Sequence, residues 1–168
     1  MAAPWPICIA RGGHLATIRG NGLRVTSPQG EVQINPAMAT DDPGDVGEID
    51  LILMGVKLYD VETAVTELLP MLGAKTGIVT LQNGIDAPAM ITRIVGAAHC
   101  IPGVALLNGE IAAPGVIQHN AMNALSVGEL DGWISPRLEA LRELAKGSVL
   151  DVTVSSEFGL NYGASFSV

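Results

Sequence analysis

Short apolar runs closed by glycine, asparagine or a charge alternate with stretches of helical spacing along most of the chain. The run at 7–10 ends at Arg11 and Gly12-Gly13, which predicts a buried strand entering a turn. Residues 14–19 follow as a short helical stretch closed by Gly20-Asn21-Gly22. Apolar and polar residues alternate over 23–26 and 31–34 around Ser27-Pro28-Gln29-Gly30, the pattern of a hairpin. After a loop at Asp41-Asp42-Pro43-Gly44, residues 51–56 read as a second buried strand. Asp60 is a suitable N-cap for a helix in which Val61, Val65, Leu68, Leu69 and Leu72 recur at helical spacing up to Gly73. A third buried strand is expected at 78–81 and a helix over 86–95, ending at Gly96. From Cys100 the texture becomes extended, with runs at 101–107, 115–119 and 125–130. Ser135-Pro136 opens a helix through Lys146, serine at the N-cap and proline at the first helical position. A strand at 149–154 closes the sequence of elements.

Strands alternating with helices at this spacing predict an α/β fold, doubly wound, with a mostly parallel sheet. Such sheets bind ligands at the carboxyl ends of their strands. Arg11 follows the first strand, Lys57 the strand at 51–56 and Asn83 the strand at 78–81. Singly, Arg11 and Lys57 fit solvated surface charges equally well, and Asn83-Gly84 fits a plain turn. Together they favour an anionic, hydrogen-bonding ligand such as a nucleotide. His14, His99 and His119 show no metal-site spacing. Met38, Met54, Met71, Met90 and Met122 read as core filler. No repeat, low-complexity segment or second domain is marked.

Composition narrows the class. Hydrophobic residues are 48% and charged residues 15% of 168, enough apolar content for a packed core. The longest apolar run, 49–56, is interrupted by Asp50 and ends at Lys57, far short of the roughly 20 residues of a membrane span. A net charge of -8 argues against a nucleic-acid partner, since little of the chain could neutralise phosphates. The first residues carry neither a basic segment nor an apolar one of signal-peptide length, so a cytoplasmic location is expected. Cys8 and Cys100 lie apart in apolar surroundings and read as buried, reduced thiols.

Five segments then carry a resemblance: Ala-Arg-Gly-Gly-His-Leu (10–15), Val-Lys-Leu-Tyr-Asp-Val-Glu (56–62), Leu-Gln-Asn-Gly-Ile-Asp (81–86), Pro-Gly-Val-Ile-Gln-His (114–119) and Gly-Glu-Leu-Asp-Gly (128–132). In order and spacing they resemble the ketopantoate reductase (2-dehydropantoate 2-reductase) family, whose members reduce a 2-keto acid with NADPH. The resemblance implies that Arg11 pairs with the ribose 2′-phosphate, where a planar guanidinium suits the group and an NAD enzyme would carry an acid. It implies a point charge near the cofactor from Lys57. Asn83 would hydrogen-bond near the nicotinamide ribose and the substrate, with close backbone approach at Gly84 and a backbone contact to the cofactor at Gly109.

Two departures accompany it. Only residues 1–6 precede the strand that ends at Arg11, so the first strand and its Gly-x-Gly-x-x-Gly loop are expected to be missing. That loss would leave the strands at 7–10 and 51–56 as open edges, inviting association between copies. The family's helical domain, whose Lys and Glu do the acid–base work, is likewise expected to be absent, leaving a partial cofactor domain over 1–157. The tail at 158–168 does not resemble the family. Read from the third base of the Asn161 codon, Asn161-Tyr162-Gly163 gives Leu and then Trp or Arg, and with allowed codons the whole tail shifts to Arg-Val-Glu-Leu-Trp-Gly-Glu-Phe, which does resemble it; a frameshift is therefore expected, and the coding DNA tests it. These departures predict an inactive fragment. The rival readings are a non-catalytic nucleotide-binding or interaction module, or a degenerate gene product.

Overall fold

The computed structural model describes residues 6–36 and 38–159. In chain order its elements are β1 (Ile7–Ile9), α1 (Gly12–Asn21), β2 (Leu23–Ser27), β3 (Gly30–Ile34), β4 (Met38–Thr40), β5 (Ile49–Met54), α2 (Val61–Glu67), β6 (Leu72–Thr80), α3 (Asp86–Val95), β7 (Cys100–Ile101), β8 (Gly103–Ala113), β9 (Val116–Val127), α4 (Pro136–Ala145) and β10 (Asp151–Val154). They divide into two compact units, one drawn from residues 1–47 and 107–122, the other from 48–106 and 123–168. The fold is the expected mixed α/β one, with parallel pairing between β1 and β4, along β5-β6-β7, and from β9 to both β2 and β10.

In the first unit, β1 runs beside β4 with Ile7 opposite Met38 and Ile9 opposite Thr40. Leu15 and Ile18, three apart on α1, are its buried residues and make one apolar stripe. The helix stops at Gly22, whose N–H donates to the Ile18 carbonyl at 2.9 Å with φ at +76°. A Cβ there would lie 2.6 Å from the Ile34 carbonyl oxygen, so glycine is required twice over. The hairpin forms as expected, β2 antiparallel to β3, and β2 also pairs with the start of β9 at Arg24 to Thr26.

In the second unit, β5, β6 and β7 form a parallel sheet in that order. A core of Val79, Ile101, Leu125, Val127, Leu138, Leu141 and Val152 gathers β6, β7, β9, β10 and α4. Val61 and Val65 of α2 and Ala87, Pro88 and Ile91 of α3 are buried as well. At about 25 cal/mol per Å2 of apolar surface, each such aliphatic side chain contributes roughly 1.5–3 kcal/mol.

Several expectations are corrected. The helix from Val61 does not reach Leu72: it ends at Glu67, a 3-10 turn follows over Leu69–Met71, and β6 begins at Leu72. Pro70 is the cause, because it lacks an N–H and its ring excludes the carbonyl four residues back. Asp60 has helical backbone angles and makes no capping bond with its side chain. The runs at 115–119 and 125–130 belong largely to one strand, β9, which continues through Met122 despite its φ of +60°. Met54 and Met71 are core residues, whereas Met38 and Met122 are exposed. The strands at 7–10 and 51–56 are less buried than their apolar runs suggested, Leu53 being 54% exposed, while each lies at the edge of its sheet among the described residues, as expected for them. Most of the tail, 160–168, lies outside the described residues.

Candidate functional site

Strand register in the second unit brings two of the expected residues to one sheet edge. Met54 pairs with Thr80 as the last residues of the adjacent parallel strands β5 and β6. Lys57 lies three residues beyond Met54 and Asn83 three beyond Thr80, so the two loops leave the sheet side by side. Both side chains are exposed, and neither makes a hydrogen bond or ion pair with another described residue. Lys57 begins the 3-10 turn Leu58–Asp60, its carbonyl accepting from the Asp60 N–H at 2.9 Å. Gly84 has φ +97° with nothing within 4 Å of a would-be Cβ, so the loop there is open to close approach.

Between these loops lies Gln82, which is buried. Its Nε2 donates to the Met54 carbonyl at 2.8 Å and to the Val56 carbonyl at 2.7 Å. Its Oε1 accepts from the Leu81 N–H at 3.2 Å. In the sequence this glutamine stands within Leu-Gln-Asn-Gly, where only the neighbouring Asn-Gly carries a turn or ligand signal.

In the first unit, Arg11 follows β1 and is the N-cap residue of α1, extended at φ -135° and ψ 162°. The pairing of β1 with β4 continues past the strand, the Ala10 N–H donating to Thr40 at 3.0 Å, which fixes the backbone from which the exposed guanidinium projects. Gly109 lies in β8, where a Cβ would come 3.1 Å from the Gln118 carbonyl oxygen. Close approach of β8 to β9 is thus a structural reason for this glycine.

The ketopantoate reductase PanE/ApbA family model matches residues 3–132. This chain belongs to that family. A 2-dehydropantoate 2-reductase of Mesorhizobium japonicum is 30% identical over 155 residues, taking in 80% of this chain and 47% of the relative. One of Halobacterium salinarum is 27% identical over 143 residues, 85% of this chain and 47% of its own length. The chain therefore spans about half the length of the curated relatives it matches. Among solved structures, 2-dehydropantoate 2-reductase from Porphyromonas gingivalis W83 matches with a TM-score of 0.84 at 30% identity, covering 91% of this chain and 54% of that one. D-mandelate dehydrogenase, solved as a ternary complex with NADH and anilino(oxo)acetate, matches with a TM-score of 0.76 at 18% identity, covering 89% and 48%, a likeness of fold alone.

The ketopantoate reductase segment Gly-Glu-Leu-Asp-Gly (128–132) turns out to be structural. Glu129 is buried and receives Arg137 through both of its oxygens, at 2.7 Å and 2.5 Å. Ser135 Oγ donates to Glu129 Oε1 at 2.5 Å, and Arg137 also donates to the carbonyls of Ala98 and Cys100. The hydrogen bond to Glu129 raises the Arg137 pKa above its ordinary value. An acid followed six and eight residues later by Ser and Arg was the signal available in the sequence. The three histidines are held by main chain: His14 Nδ1 accepts from the Gly115 N–H at 3.0 Å, His99 Nδ1 lies 2.8 Å from the Thr76 carbonyl, and His119 Nε2 2.6 Å from that of Met122. No cluster of metal-ligating side chains occurs among the described residues.

Proposed function

We propose that this chain is the NADPH-binding portion of a reductase that converts a 2-keto acid, 2-dehydropantoate, to its 2-hydroxy acid, pantoate, in pantothenate biosynthesis in the cytoplasm. The observation that carries the reading is the pair Lys57 and Asn83, at equal distance beyond paired strand ends, with side chains that engage no other described residue. Such a strand-end crevice is where α/β sheets bind nucleotides. The residues fit the cofactor chemically. Lys57 supplies a cation, Asn83 both a donor and an acceptor, and Gly84 room for close approach. Arg11, after a separate parallel strand, suits a ribose 2′-phosphate, and Gly109 would offer main chain. When bound, NADPH supplies the hydride that reduces the keto carbon. Asn83 would orient the keto acid, and a general acid, a Lys in the family, would protonate the alkoxide.

Calorimetry with NADPH and with NADH on the purified chain tests this. Micromolar NADPH binding is expected, weakened at least ten-fold, about 1.4 kcal/mol, in Lys57→Ala. Arg11→Ala should weaken NADPH and leave NADH nearly unchanged, because only NADPH carries the 2′-phosphate. No binding at millimolar NADPH would overturn the reading and favour a non-catalytic interaction module. The open, partly exposed edge strands β1 and β5 support a further part of the proposal, that copies of the chain associate through those edges.

A further inference from the structure

We infer that Gln82 is a positioning residue that holds the Lys57 and Asn83 loops in fixed register, so that both side chains face one ligand. The inference rests on the nucleotide-site reading for its functional consequence and on hydrogen-bond geometry for its structural claim. The two loops leave the sheet from paired residues, yet strand pairing between them ends at Met54 and Thr80. Beyond that point Gln82 takes over. Its two amide protons go to two carbonyls of the neighbouring loop, Met54 at 2.8 Å and Val56 at 2.7 Å, the second immediately before Lys57. Its oxygen closes back on Leu81 N–H at 3.2 Å. Asn83 is the next residue in the chain.

Few side chains could do this. Two neutral donors and one acceptor on a single flexible stem belong only to asparagine and glutamine, and asparagine is one methylene shorter. A glutamate would set carboxylate oxygens against carbonyl oxygens. A methionine has the right length but no donors, leaving two carbonyls without partners at a buried position where Gln82 is only 8% exposed. Among the described residues neither the Lys57 nor the Asn83 side chain has a partner, so the register of the loops depends on this amide.

The test combines hydrogen exchange with NADPH calorimetry on the full chain, for wild type, Gln82→Met, Gln82→Glu and Thr80→Val. The last removes the Thr80 hydroxyl that links β6 to Gly103, and so controls for general loosening of the strand. Both Gln82 variants are expected to speed exchange together at residues 55–59 and 83–85 and to weaken NADPH by roughly ten-fold, while Thr80→Val does not accelerate the two loops jointly. In the wild type, the Gln82 side-chain amide protons should be protected from exchange in the nuclear magnetic resonance spectrum, a readout independent of any variant's folding. Free exchange of those protons, or loops unchanged in Gln82→Met, overturns the inference. If wild type binds no NADPH but the loops loosen together, the nucleotide reading fails and the positioning role stands. If wild type binds and Gln82→Met binds equally well with unchanged loops, the nucleotide reading stands and the positioning role fails.

Discussion

Cys100 shows how one residue's surroundings set its chemistry. Its side chain is fully buried at the start of β7, with Sγ 3.8 Å from the Pro88 carbonyl. Burial pushes the thiol from 9.0 up to about 11, partly offset by a hydrogen bond with Thr92. In the unfolded chain the thiol ionises near 9, whereas the folded chain keeps its proton until about 11. The unfolded state therefore binds fewer protons across that window. Stability from this group is complete below pH 9 and falls as pH rises toward 11, by an amount on the order of 2–3 kcal/mol. Denaturant midpoints from pH 8 to 11 should fall more steeply in wild type than in Cys100→Ala, whatever cavity cost the variant carries at all pH values. Equal slopes would contradict the burial argument. Cys8, partly buried and also shifted upward by burial, should react with thiol reagents well before Cys100.

At the scale of elements, α4 is anchored twice by one hydroxyl. Ser135 Oγ accepts from the Leu138 N–H at 3.4 Å as an N-cap and donates to the buried Glu129 carboxylate at 2.5 Å. The cap alone is worth about 1 kcal/mol, and leaving a buried carboxylate short of a partner costs a further 1–3 kcal/mol. Ser135→Ala should lower unfolding free energy by about 2–3 kcal/mol, and Ser135→Thr, which keeps the hydroxyl, by far less. Chemical denaturation measures both; a loss in Ser135→Ala no larger than the cap alone would mean that Arg137 satisfies Glu129 unaided. The sequence signalled α4 well because Ser-Pro before a helical pattern acts within one turn. It signalled α2 poorly, since the helical spacing of Leu68, Leu69 and Leu72 carried across Pro70, where the backbone could not follow.

At the scale of the whole molecule, β1 and β5 are each bonded to one neighbouring strand among the described residues, and β5 exposes Leu53. Unpaired backbone donors and acceptors beside an exposed leucine make a template for another chain. Light scattering across a concentration series should find species larger than one chain. Leu53→Lys should shift the distribution toward the monomer at little cost in stability, since the side chain is already largely exposed. A wild-type chain that stays monomeric at high concentration would refute association through this edge. The division into two units, with boundaries near Gly47, Leu107 and Met122, coincides with no shift in composition.

What the sequence by itself determined were features decided within a few residues. Gly96 ends α3, Ser135 caps α4, Pro28 and Gly30 turn the hairpin, and the motif segments mark the ketopantoate reductase family. It also put Arg11, Lys57 and Asn83 just beyond the ends of strands. Only the tertiary structure decided which strand ends meet. The pairing of Met54 with Thr80 joins residues 26 apart, and the link from Gln82 to Val56 exists only once that register is set. The same holds for Glu129 and Arg137, eight residues apart, which become a clamp only once the carboxylate is buried. Turn and cap signals act through neighbouring backbone groups and so are written locally. Strand register and burial depend on contacts between distant segments, which no local pattern specifies.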